Sequence, residues 1–145
     1  MKRLCACLLG LGAACAAYAA DFRSIGQDVA ILYDGPSTQA KKLYVVSRQL
    51  PVEIISTDGT WVKVRDHEGT LAWIERSALS EQRMVLVTAA VAEVREAPDA
   101  QAPVVFQAQQ GVVLELQGQS VAGWLQVRHA DGSGGYVRFD QVWGG

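Results

Sequence analysis

Two segments of the chain show the same alternation of apolar and polar residues. Residues 60–65 read TWVKVR and residues 123–128 read GWLQVR. Each is followed by a polar turn that contains glycine and then by a second short apolar run, LAWI at 71–74 and GYV at 135–137. An alternating run, a turn and a second run are typical of a β-hairpin. The pattern therefore predicts one hairpin in each half of the chain.

The two hairpins belong to a longer repeat. Trp61 and Trp124 are 63 residues apart, and so are Trp73 and Tyr136. Other apolar runs, separated by turn-forming residues, recur in the same order, and the offset changes by one only in the loop 118–123, where an insertion is tolerated. Short strands at close spacing, with no helical period after the N-terminal segment, predict an all-β fold made of two small units.

A polar stretch separates the two units. Residues 80–83 read SEQR, and we place the boundary there, which gives a first domain at 20–80 and a second at 81–145. The segment 21–26 is expected to be a short lead-in, and 84–88 (MVLVT) an extra strand that joins the halves. A unit of about sixty residues is marginally stable alone, so two units packed together would stabilise each other.

The first 19 residues have the pattern of a secretory signal peptide. The start MKR is basic, residues 4–16 are apolar, and AYA at 17–19 fits the small-x-small rule for cleavage. The apolar run is too short for a membrane-spanning helix. We therefore expect residues 1–19 to be removed and the mature protein to be periplasmic or secreted. A lipoprotein acylated at Cys15 is the alternative, which is disfavoured because the preceding GAA lacks a large aliphatic residue.

Charge and cysteine content restrict the partners. The chain has 13 basic and 15 acidic residues, and removal of the basic start leaves 11 basic residues and a net charge of −4. There is no polybasic run, so nucleic acid and anionic membrane surfaces are not expected partners. All three cysteines precede residue 20, so the mature chain has neither a disulfide framework nor a reactive thiol.

Catalytic and metal-binding residues are not evident. Nucleophilic catalysis needs a cysteine or serine activated by a neighbouring base. His67 and His129 are the two histidines, and each lies in a polar turn of a separate copy, without cysteine or carboxylates at the spacing of a zinc site. We expect no enzymatic activity, no metal and no cofactor.

Aromatic and basic side chains are the candidate binding groups. In residues 61–65 the alternation places Val62 and Val64 on one face and the tryptophan with both basic residues on the other. Tryptophan is common at binding sites, but it also serves to cover the end of a β-barrel or to pack one copy against the other. The candidate ligand-binding residues are Trp61, Trp124, Lys63, Arg65, Arg128, Trp73 and Tyr136.

The repeat resembles bacterial SH3-like domains. The resemblance rests on LYDGP at 32–36 with WVKVR at 61–65, and on VREAP at 94–98 with WLQVR at 124–128. It implies two tandem small SH3-like β-barrels of five strands each, used for binding. Such modules are often attached to cell-wall hydrolases or signalling proteins, and some bind wall peptides. The Pro and Tyr of the familiar proline-peptide groove are not supplied by ERS at 75–77.

The resemblance and the residues together suggest two functions. The first is a non-catalytic envelope module that binds a peptidoglycan stem peptide or an envelope protein. The second is a structural or assembly subunit of a periplasmic complex, in which the two barrels form a fixed scaffold. An open groove beside Trp61 or Trp124 favours the first, and a groove filled by the other copy favours the second. The oligomeric state is left open.

Export is the first testable prediction. N-terminal sequencing of the exported protein is expected to begin at Ala20 or close to it, because cleavage follows the small-x-small segment. A lipid-modified Cys15 at the new N-terminus would contradict release as a soluble protein.

Overall fold

The computed structural model describes residues 20–145, and the predicted signal peptide lies outside them. Among these residues no helix is long and apolar enough to cross a membrane. The strands of the first copy are β1 (Phe22–Ile25), β2 (Val29–Tyr33), β3 (Lys42–Ser47), β4 (Pro51–Asp58), β5 (Trp61–Arg65), β6 (Leu71–Glu75) and β7 (Leu79–Ser80). Those of the second are β8 (Met84–Val87), β9 (Val91–Arg95), β10 (Val104–Gln109), β11 (Val113–Val121), β12 (Trp124–Arg128), β13 (Gly134–Arg138) and β14 (Val142–Trp143). A short 3₁₀ helix precedes the last strand of each copy, at Arg76–Ala78 and Phe139–Gln141.

Each copy forms one seven-stranded antiparallel sheet. The strand order is β3-β2-β6-β5-β4-β1-β7 in the first and β10-β9-β13-β12-β11-β8-β14 in the second, which is the same order position by position. The prediction of an all-β chain with two tandem copies is therefore confirmed. Within residues 20–145 the hydrogen bonds leave the first and last strands of each order as edges, so neither sheet closes completely into a barrel.

Two short segments, the expected lead-in and the expected joining strand, are integral parts of the two sheets. The expected lead-in contains β1, which pairs with β4 on one side and β7 on the other. The expected joining strand is β8, which occupies the equivalent place between β11 and β14. Each copy thus has seven strands instead of five. The polar Ser24 makes β1 difficult to recognise from the sequence. The Ser24 side chain is fully buried, and its hydroxyl compensates for the burial by donating a hydrogen bond to the carbonyl of Gln82 at 2.7 Å.

Each sheet buries one face around its own apolar core. Complete burial of a valine or leucine side chain contributes roughly 1.5–3 kcal/mol, so these two clusters supply most of the stability. The core of the first copy contains Ile25, Ala30, Leu32, Val52, Val62, Val64, Ala72, Ile74 and Ala78. The core of the second contains Val85, Val87, Ala92, Val94, Ala108, Leu114, Leu125, Val127, Val137 and Val142.

The two copies also pack against each other. The ring of Trp143 meets the ring of Phe22 edge to face, with centroids 5.0 Å apart, and lies 6.4 Å from the ring of His67. The guanidinium of Arg83 donates a hydrogen bond to the carbonyl of Gly144 at 3.1 Å and stacks 5.6 Å from the Phe22 ring. Trp143, whose counterpart in the first copy is Ser80, therefore joins the end of the second copy to the first.

Strand β8 continues this contact. All four of its residues are buried. Val85 and Val87 belong to the core of the second copy, whereas Met84 and Leu86 point to the opposite face and lie outside both core clusters. On that side β8 approaches β4 of the first copy. The unbroken apolar run is thus explained by burial on both faces.

Replacing Trp143 with alanine should uncouple the two copies. Loss of the partly buried indole removes its edge-to-face contact with Phe22, at a cost of about 2–3 kcal/mol. We expect calorimetry to show one transition for the native protein and two separated transitions for Trp143→Ala. Phe139→Ala is the matched control, because its ring is 63% exposed and its loss should change the unfolding temperature little. A single unaltered transition in Trp143→Ala would show that the copies fold independently of this contact.

Gly135 shows where the copies differ in backbone packing. A β-carbon at this position would lie 2.4 Å from the carbonyl oxygen of Arg95 and 2.9 Å from a methyl group of Val94. The equivalent residue of the first copy is the buried Ala72. β13 and β9 thus approach each other too closely for any side chain at this point.

Gly135→Ala should therefore destabilise the second copy, although the first copy carries alanine at that place. The expected cost is about 1–3 kcal/mol, from overpacking against backbone that must move. Urea denaturation monitored by circular dichroism measures it, with Ala72→Gly as the reverse change, costing about 1 kcal/mol. Gly135→Ala would stabilise the protein if its only effect were to restrict the unfolded chain. An increase in stability would therefore contradict the close packing at this position.

Candidate binding site

The outward face of the first sheet follows from the alternation of its strands. In β5, Val62 and Val64 are buried in the core, whereas Trp61 and Lys63 lie on the opposite side and are partly exposed. In β6, Trp73 is likewise partly exposed between two buried neighbours. Successive side chains of a strand point to opposite faces, so the core valines oblige these side chains to face outward.

An aromatic cluster forms on this outward face. The rings of Tyr33 and Trp61 meet edge to face, with centroids 5.3 Å apart and an interplanar angle of 88°. Tyr33 is directly opposite Trp73, and Lys63 is opposite Trp73 on its other side, with the Lys63 ammonium 6.0 Å from the indole centroid. We call these four residues the aromatic face. It combines apolar ring surface with a positive charge, a combination suited to an anionic ligand that also has apolar groups.

Tyr33 is the member of this face that was absent from the predicted set. It ends β2, directly after the buried Leu32. The alternation within LYDGP was the signal that could have identified it, since an outward tyrosine follows an inward leucine. The repeat does not point to Tyr33, because the second copy has Arg95 at the equivalent position.

Two depressions border the aromatic face. One has a volume of about 200 Å³ and includes Ile31, Tyr33 and Glu75 in its wall. The other, of about 510 Å³, is lined by Thr60, Glu75, Arg76 and Ser77. Both are lined by residues of the first copy, and Tyr33 is the residue of the aromatic face that contributes to their walls.

The predicted arginines are held by carboxylates. Arg65 lies at the end of β5 and pairs with Glu53 at 3.3 Å. Arg128, its counterpart, pairs with Glu115 at 3.2 Å. Both pairs lie across adjacent strands, where opposite charges stabilise a sheet modestly. Lys63, by contrast, forms no ion pair with a carboxylate of residues 20–145.

The structure separates the two tryptophans that the repeat equates. Trp124 is only 8% exposed, although it lies outside the core cluster of its copy. The guanidinium of Arg138 lies 5.8 Å from its ring centroid, directly opposite it on β13. The first copy has Glu75 at that position, opposite Trp61. The arginine covers Trp124, whereas Trp61 stays partly exposed, so the two indoles have different surroundings.

Tyr136 also has different surroundings from its counterpart. Its neighbours across the strands are Arg95 and Gln126, in place of a tyrosine and a lysine. Arg95 pairs with Glu93 and donates a hydrogen bond to the carbonyl of Ala102 at 2.7 Å. The outward face of the second copy therefore presents paired arginines instead of a second aromatic face.

The histidines remain in turns, as the sequence indicates. His129 lies 3.2 Å from Asp131, which accepts hydrogen bonds from the backbone N–H and side chain of Ser133. These bonds and the neighbouring imidazole lower the pKa of Asp131. No group of three potential metal ligands occurs in the part of the chain that the structure describes. The expected absence of catalysis and metal binding stays a prediction.

Comparison with known proteins identifies the repeat. The family model of the bacterial SH3 domain matches residues 26–81 and again residues 88–144. No curated protein matches the chain.

Similar solved structures come from NlpC proteins. NlpC2 and NlpC1 from Trichomonas vaginalis are each 14% identical, with TM-scores of 0.41 and 0.40, over 87% and 88% of this chain. An NlpC/P60 family protein from Bacillus cereus ATCC 10987 is 15% identical, with a TM-score of 0.40, over 84% of this chain. The matches cover 49%, 47% and 55% of those structures, so this chain spans about half their length.

The twofold family match agrees with the two sheets of identical strand order and confirms the resemblance to SH3-like domains. The chain therefore belongs to the bacterial SH3 domain family and carries two such domains in tandem.

Proposed function

We propose that this protein is an exported, non-catalytic binding module of the cell envelope that recognises peptidoglycan stem peptides through the aromatic face of its first copy. The observation that carries the proposal is the open cluster of Tyr33, Trp61 and Trp73 beside the unpaired Lys63. A stem peptide offers carboxylates to the ammonium group and apolar side chains to the rings. Membership in the bacterial SH3 domain family supports a wall-associated role.

A binding role needs no catalytic group. Residues 20–145 contain no cysteine, and both histidines lie in turns, with His67 near the ring of Trp143 and His129 near the ring of Phe106. Recognition by exposed aromatic side chains requires only that they are held rigidly and kept accessible. The strands supply the rigidity, because the core residues between the aromatic positions are fully packed.

A scaffold role is the second candidate, and it is favoured by the contact between the copies. Phe22, Trp143 and Arg83 hold the two domains in one arrangement. A fixed pair of domains presents two different surfaces to a partner complex, one with exposed aromatic rings and one with paired arginines. An envelope protein, instead of the wall, would then occupy the aromatic face.

The paired tryptophans provide the test. In Trp61→Ala the unfolding temperature should change little, because the indole is partly exposed, whereas binding to purified sacculi should weaken by about 2 kcal/mol or more, the effect of a hot-spot residue. In Trp124→Ala the protein should lose about 3 kcal/mol of stability, because a buried aromatic side chain is removed. Thermal melts and co-sedimentation with sacculi measure the two effects.

The controls separate the two candidates. Phe139→Ala removes an exposed ring from the second copy and should leave sedimentation with sacculi unchanged. If the native protein stays in the supernatant at ordinary salt concentrations, wall binding is wrong and the envelope-protein scaffold is preferred. If Trp61→Ala sediments with sacculi as fully as the native protein does, the aromatic face is not the wall-binding surface.

A further inference from the structure

A single cross-strand row passes through the aromatic face. Lys42 of β3 is opposite Tyr33 of β2, Tyr33 is opposite Trp73 of β6, and Trp73 is opposite Lys63 of β5. Residues directly opposite each other in antiparallel strands have their side chains on the same face of the sheet. The register between β2 and β3 shifts between Leu32 and Tyr33, but Lys42 still faces outward because the next residue, Leu43, packs against the core. The row is therefore Lys42, Tyr33, Trp73, Lys63, with an ammonium group at each end and two aromatic rings between them.

The two lysines are separated by three strand spacings. Neighbouring strands lie about 4.8 Å apart, which places the backbones of Lys42 and Lys63 roughly 14 Å from each other. An extended peptide rises about 3.4 Å per residue, so four residues span this distance. A ligand with one carboxylate cannot engage both ends of the row at the same time.

Both lysines are free to bind an external anion. Neither forms an ion pair with a carboxylate in residues 20–145, whereas Arg23, Arg48 and Arg65 of the same copy each pair with an acidic side chain. These three arginines have their charge balanced by a carboxylate of the protein, and Arg76 donates a hydrogen bond to the carbonyl of Gly59. The two lysines at the ends of the row have no carboxylate partner in residues 20–145.

The second copy lacks this arrangement. The corresponding row contains Val104, Arg95, Tyr136 and Gln126. Its end positions are uncharged, and its one cation, Arg95, is paired with Glu93. Both copies thus have the same strand pairing along the row, but only the first copy has a lysine without a carboxylate partner at each end of it.

We propose that the row binds an extended peptide segment that carries two carboxylates four residues apart, one held by Lys42 and the other by Lys63, with the intervening residues lying across Tyr33 and Trp73. This proposal rests on the proposed function, because it specifies the ligand of the same aromatic face. It predicts that the two carboxylates are recognised separately, each by its own lysine.

The test pairs charge-removing variants of the protein with charge-removing variants of a probe peptide. The probe is a pentapeptide with blocked ends, aspartate at its first and fifth positions and alanine between them. The matched peptides have asparagine at one or both ends. Binding is followed by tryptophan fluorescence at low salt, since Trp73 lies within the row.

Lys42→Gln and Lys63→Gln should each weaken binding of the diacid peptide roughly fivefold, the upper range for an exposed ion pair, and the double variant roughly 25-fold. Each variant should also lose discrimination between aspartate and asparagine at one end of the peptide. Lys41→Gln is the control of equal charge change outside the row, and it should bind like the native protein. All three lysines lie on the surface, so circular dichroism should show native folds.

The outcomes distinguish this proposal from the proposed function. If the row variants bind the diacid peptide as the native protein does, or if Lys63→Gln alone matters, recognition of two carboxylates is overturned. If Trp61→Ala also loses sacculi in that case, wall binding by the aromatic face still stands. If the row variants discriminate as expected but the native protein ignores sacculi, the row binds an acidic segment of a protein, and the wall ligand is wrong. If Lys41→Gln weakens binding of the diacid peptide as much as the row variants do, the effect comes from net charge alone, and the proposal is overturned.

Discussion

Each sheet of this protein has to bury one face, and that constraint determines what the other face displays. A domain of about sixty residues has little apolar surface to spare, so nearly every inward position of β5, β6 and β2 is occupied by valine, leucine, isoleucine or alanine. The two-residue period of a strand then places the residues between them on the outside. Trp61, Lys63 and Trp73 are outward because Val62 and Val64 are inward. Core packing thus holds the aromatic face in place without any contact that is specific to it.

The two copies have kept the same core pattern and diverged on the outside. Position by position, their strands are paired in the same order. On the outward side, Tyr33 and Glu75 of the first copy are replaced by Arg95 and Arg138 in the second. Both arginines pair with acidic side chains, and Arg138 also covers the ring of Trp124. Replacement of a tyrosine and a glutamate by arginines converts an open aromatic surface into a covered, charge-balanced one.

The contact between the copies is compatible with either binding or assembly. Trp143 and β8 connect the domains away from Tyr33 and Trp61, so the fixed arrangement leaves the aromatic face accessible. The same contact gives the protein two unlike surfaces in a constant relative orientation. Rigid presentation lowers the entropy lost when a ligand or a partner binds. The exposed aromatic rings and the fixed domain pair can therefore serve one function together.

The sequence by itself determined the all-β class, the duplication and the outward side of Trp61, Lys63 and Trp73, because strand alternation and repeat spacing are local properties of the chain. It did not reveal β1, whose four residues include the polar Ser24, nor the burial of β8 on both faces. Only the tertiary structure decided that Trp124 is covered by Arg138 and that Lys42, Tyr33, Trp73 and Lys63 form one row. The residues in contact are 9 to 40 positions apart in the chain. They meet because of the register in which β2, β3, β5 and β6, and likewise β12 and β13, pair, and the alternation within a single strand does not specify that register.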